Sequence, residues 1–238
     1  MSARGQSHVV GVALMLGLTV AALGALTAGV GTVLESQAAA ADANRVASDL
    51  DAALDERAHG YHSGHVRFSE GSLSTVDRTV RVVRNGSVVG EVDAGGLVFE
   101  SGDRRAAYVA GAVVRGRGGG AWLTEAPSVT GSERNGVVVV GVPRLGADEV
   151  GVGGTGGTAV TLETNVTHSR LDLGRGEFAV AIETATPDAL ARHFREENAT
   201  VSRQDFDGDG TPSVVARYPG RRQGYLVVHD LALEVGDG

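Results

Sequence analysis

Three aspartates at alternate positions stand out first: DFDGDGTPS places Asp205, Asp207 and Asp209 before Gly210. Hard carboxylate oxygens at this spacing, with a glycine allowing a sharp turn, form the first half of a calcium loop. The twelfth position, where a bidentate glutamate belongs, is Ala216. A complete Ca2+ site would therefore need the Thr211 carbonyl, Ser213 and a remote acid, and its role would be structural. An ordinary acidic turn is the alternative. A second cluster, HGYHSGH, sets His59, His62 and His65 three residues apart, a spacing that gathers imidazoles around zinc or nickel on a helix. Gly60 and Gly64 argue against that helix, and the segment reads as a polar linker.

Asn85, Asn165 and Asn198 each open an N-x-[ST] sequon, the acceptor pattern for N-glycosylation of exported segments. No cysteine, no G-x-S-x-G elbow, no H-E-x-x-H pair and no Walker loop occurs. The glycine-rich GVGGTGG (151–157) lacks the lysine and hydroxyl residue of a phosphate cradle and reads as a connection, as does RGRGGG (115–120). An enzyme is not the expected class.

Every basic residue is arginine, and 21 basic against 29 acidic residues leave a net charge of −8. Such a balance disfavours nucleic acid as a partner and suits a surface kept soluble in strong salt by excess carboxylates. Without cysteine, stability must come from a core, a metal or neighbouring subunits.

The elements that would position these residues begin with an uncharged run from Val9 to Leu34. As a helix it reaches about 39 Å, beyond the ~30 Å of a hydrocarbon layer, and a transmembrane segment is the expectation. Arg4 precedes it while Glu35, Asp42, Asp49 and Asp51 follow, so the positive-inside rule places the N-terminus in the cytoplasm and the remainder outside the cell. Its length also distinguishes it from a signal-peptide core. The helix continues to about residue 57, with Val46, Leu50 and Leu54 on one face.

Arg4-Gly5-Gln6-Ser7-His8-Val9-Val10-Gly11, followed by the apolar run, resembles the class III leader of archaeal type IV pilins, particularly those of halophilic archaea. His8 stands where many archaeal pilins carry proline, and Val10 where bacterial pilins carry glutamate. The resemblance implies cleavage between Gly5 and Gln6 by a prepilin peptidase. It also implies a retained helix that meets other pilin subunits in a filament core, and a head displayed at the cell surface for adhesion. Gly11, Gly17, Gly24, Ala28 and Gly31 would let such helices approach closely.

Downstream, Asn85-Gly86 between β-branched runs predicts a hairpin. Strands are predicted over 97–100, 105–114, 121–124, 137–142, 159–164, 178–184, 214–218 and 225–235. Thr186-Pro187-Asp188 predicts the start of one short helix, with Leu190 and Phe194 facing inward. The expected fold is α+β and type IV pilin-like: a long transmembrane helix, then a mainly antiparallel, sandwich-like head. Its divisions are a leader (1–5), the helix (6–58), a histidine-containing linker (59–65) and a β-rich head (66–238). The expected function is that of a structural subunit of a surface filament. The rival is an anchored extracellular binding domain that never polymerises, and a third reading is an anchored hydrolase.

Overall fold

The structure, a computed structural model, describes residues 4–237; the side chains described are those of residues 12–27 and 33–236. The chain divides into two compact units, Met1–Ala38 and Ala39–Gly238. Helix α1 runs over Arg4–Ala53. It is followed by β1 (Gly60–Val76), β2 (Thr79–Arg84), β3 (Ser87–Asp93), β4 (Gly96–Ser101), β5 (Arg104–Val109), β6 (Ala112–Arg117), β7 (Gly120–Glu125), β8 (Val129–Ser132), β9 (Val137–Arg144) and β10 (Gly151–Glu183). Helix α2 (Pro187–Glu196), β11 (Thr200–Gln204), β12 (Ser213–Asp230) and β13 (Glu234–Asp237) complete the order.

The fold is mainly β, which corrects the α+β expectation. The strands form one 13-stranded sheet along the path β7-β6-β5-β4-β1-β10-β12-β9-β8, with side branches, rather than a sandwich of two sheets. All pairings are antiparallel except β12 with β9. The 33-residue β10 explains this continuity. Its first half pairs with β1 and its second with β12 and β2, so one strand serves two apolar clusters.

The transmembrane reading is also corrected: among the described residues, no helix is long and apolar enough to cross a membrane.

Within the second unit, the C-terminal turns of α1 lie against the sheet. Ala43, Val46, Ala47, Leu50 and Leu54 recur at helical spacing and are buried with Phe68, Leu97, Phe99, Tyr108 and Leu162. Two acids of the same helix complete the docking. Asp42, only 3% exposed, accepts the Ser69 and Glu70 N–H groups at 2.8 and 3.3 Å, where β1 carries a bulge. One turn and three residues on, Asp49 accepts the Arg67 N–H at 3.2 Å. These carboxylates satisfy edge donors that the strand ladder leaves free.

Two linker expectations are overturned by the same strand pair. Residues 60–65 are the first part of β1, paired with Leu162–Val166 and Thr161, and Gly151–Gly157 begins β10. Close packing explains two glycines of β1: a Cβ at Gly64 would collide with Ala53 of α1, and one at Gly71 would meet Phe99 and the Glu100 carbonyl. RGRGGG likewise contributes Arg115–Arg117 to β6 and Gly120 to β7, with only the turn between. The predicted strand 105–114 is two strands, folded back at Ala110-Gly111, where both residues have positive φ. Conversely, 159–164 and 178–184 are parts of a single β10.

Other expectations are met directly. Asn85 and Gly86, with φ of 51° and 85°, turn β2 into β3 as a primed hairpin turn requires. Helix α2 starts at Pro187 after Thr186, without a side-chain capping bond, and buries Leu190 and Phe194.

Candidate functional site

The N-terminal unit presents the largest departure from ordinary burial. Val12, Leu14, Met15, Leu16, Leu18, Val20, Leu23 and Leu26 are 57–76% exposed. Successive residues of a helix are offset by about 100°, so Leu14, Met15 and Leu16 alone reach most of the circumference. The surface is therefore apolar all round rather than along one stripe. The two threonines add no demand for water, because Thr19 and Thr27 donate to the Met15 and Leu23 carbonyls at 2.8 and 2.9 Å. Gly17 and Gly24, seven residues apart, have nothing within 4 Å of where a Cβ would sit, leaving notches for a close neighbour. Gly5 and Gln6, the expected processing pair, fall in the first turns of α1; their side chains, and residues 1–3 of the expected leader, lie outside the described residues.

The aspartate loop closes on itself and on an arginine. Both Asp205 carboxylate oxygens accept backbone N–H groups, from Gly208 at 2.7 Å and Gly210 at 3.1 Å. Asp209 accepts the Thr211 N–H at 2.7 Å. Asp207 takes Nη2 of Arg81 on both oxygens at 2.9 Å, and Arg81 also reaches Glu91. Ser213 is buried at the start of β12, paired with Gln204 and Glu183. The calcium expectation is corrected accordingly: the guanidinium of Arg81 supplies the positive charge, and among the described residues no group of three or more His, Asp or Glu is placed to hold a metal ion. Sequence reasoning missed Arg81 because it lies on β2, 126 residues from Asp207.

His59, His62 and His65 do not converge either. In a strand, residues three apart point to opposite faces, so the helical spacing of His62 and His65 in β1 separates them. His62 meets the His59 carbonyl at 3.3 Å, and His65 meets the Thr161 hydroxyl at 3.2 Å. The structure instead brings together His59, His168 and His229. His168 and His229 are register partners across β10 and β12, their Nδ1 atoms 2.9 Å apart and their rings edge to face. His59 lies beside His168, with ring centroids 5.6 Å apart. Burial, then the neighbouring His168, push the His229 imidazole below its ordinary pKa.

On the same strand pair, a cleft of about 430 Å³ is lined by His168, Arg144, Asp230, Glu91 and Asp93, with Val92 and Val228. Arg144 and Asp230 are ion-paired, which leaves the cleft acidic. The sequons differ in access. Asn85 is exposed in its turn, with its side chain accepting the Glu177 N–H, and Asn198 is exposed just after α2 with a φ of 61°. Asn165 is half-buried in β10 opposite Tyr61.

The chain matches a family of unknown function (DUF7289) over residues 4–234 and belongs to it. The match takes in both α1 and the sheet. No curated protein and no solved structure matches the chain.

Proposed function

We propose that this protein is a structural subunit of a cell-surface filament, assembled through the N-terminal part of α1 in the manner of type IV pilins after cleavage between Gly5 and Gln6. The observation that supports this reading is the helix surface at residues 12–27, apolar on every side and exposed among the described residues. A helix apolar all round is stable in water only when enclosed. A single partner helix covers one stripe, whereas a bundle of identical helices covers all of them. The notches at Gly17 and Gly24 fit helices that approach closely, and the acidic composition suits a hydrated exterior. The acidic cleft and the exposed Asn85 and Asn198 sequons would then belong to the displayed β unit, as sites for adhesion and glycans.

The test is assembly of the full chain, followed by sedimentation and electron microscopy. The reading expects polymers whose subunits begin at Gln6. It also expects that Leu16→Ser with Leu23→Ser abolishes them without unfolding the β unit. A wild-type chain that stays monomeric at every concentration, or native protein that begins at Met1, would overturn it.

A further inference from the structure

We propose that His168 and His229 form a binding site for a tetragonal divalent transition ion, Cu2+ or Ni2+, that clamps β10 to β12. Two observations point there. The two imidazoles are register partners on adjacent strands, so the backbone ladder rather than a flexible loop sets their separation. Their Nδ1 atoms face each other at 2.9 Å. An ion about 2.0–2.1 Å from each would subtend roughly 90°, the cis angle of square-planar or octahedral coordination, whereas tetrahedral zinc calls for about 3.3 Å between nitrogens.

With both rings neutral, one proton lies between the two Nδ1 atoms. Ion binding moves it through solvent to the Nε2 of the ring that carries it, so each Nδ1 donates a lone pair and no net proton is released. His168 is exposed, which gives the ion an entry path.

No third protein ligand is in place among the described residues, so water completes the coordination. His59, whose ring lies 5.6 Å from that of His168, reaches the same ion by rotation of its exposed side chain. Sequence spacing alone hides this set, since residues 59, 168 and 229 lie on separate stretches.

The experiment is Cu2+ titration of the full chain by calorimetry, with electron paramagnetic resonance of the bound ion. A chain that keeps residues 1–5 is used, so that His8 does not stand third from a free amine and form a competing site. One ion per chain is expected, with hyperfine structure from at least two imidazole nitrogens. His168→Ala and His229→Gln should each abolish that signal, His59→Ala should weaken affinity, and His65→Ala should leave it unchanged. Circular dichroism confirms that each variant is folded. The proposal is overturned if His168→Ala retains the wild-type spectrum, if His65→Ala removes it, or if no nitrogen coupling is seen.

Discussion

Helix α1 carries two apolar surfaces with opposite fates. In its N-terminal unit, Leu14, Met15 and Leu18 are 70–76% exposed; in its last turns, Val46, Leu50 and Leu54 are at most 1% exposed. The residue types are the same. What differs is the pattern around the helix. The first surface is apolar on all sides and is exposed among the described residues. The second is a stripe flanked by Asp42 and Asp49, whose carboxylates bind the β1 backbone while the stripe fills the core. A stripe is matched by one sheet, but an all-round surface requires several neighbours. The same polypeptide therefore uses one end of a helix for folding and leaves the other as the surface on which the proposed assembly rests.

The contrast implies that damage to the two ends reads out differently. The largest effect is expected from Leu50→Ala, which leaves a cavity between α1 and the sheet and should cost about 2–5 kcal/mol in chemical denaturation of the full chain. A cost near zero would mean that the helix is not part of the core. Next comes an alkaline transition in the sheet itself. Burial pushes the Tyr218 hydroxyl up to about 12, with Glu197 adding to the shift. The folded chain therefore keeps this proton while the unfolded chain loses it near pH 10. Stability is full below that pH and falls by roughly 2–3 kcal/mol as pH rises toward 12, followed through tyrosinate absorbance alongside unfolding. Tyr218→Phe should flatten that part of the pH profile.

Asp207→Asn is a smaller perturbation, because the carboxylate is about half exposed while its partner Arg81 is buried. About 1 kcal/mol is expected, measured by thermal melting, and added calcium should not raise the melting temperature of either form. A calcium-dependent rise in the wild type would restore the loop as a cation site. The smallest effect on folding is expected from Leu16→Ser with Leu23→Ser, within about 0.5 kcal/mol for unfolding of the β unit, because both side chains are exposed. If this double variant unfolds the β unit, the two surfaces are not independent.

Local features were legible to the extent that their physics is local. The Asn85-Gly86 turn, the Pro187 helix start and the Val46/Leu50/Leu54 stripe depend on backbone preference and periodicity, which neighbouring residues disclose. The glycine-rich starts of β10 and β1 misled because glycine was read as punctuation. In β1 it makes room, Gly64 for Ala53 and Gly71 for Phe99, partners that only the fold supplies. The candidate sites failed for a related reason. Regular spacing of Asp205, Asp207 and Asp209 suggested convergence on calcium, yet Arg81 from another strand satisfies the middle carboxylate. Spacing of His59, His62 and His65 suggested a cluster, yet a strand sends His62 and His65 to opposite faces.

By itself the sequence determined the acidic, cysteine-free composition, the long N-terminal helix, the turn positions and the face of α1 that seeks a core. These follow from charge, side-chain period and φ preference, all properties of short stretches. Only the tertiary structure decided that one strand, β10, would join both apolar clusters, that Arg81 would take the place of a cation, and that His168 would meet His229. Each of those outcomes rests on strand register, and register is set by the packing of the whole sheet rather than by any single segment.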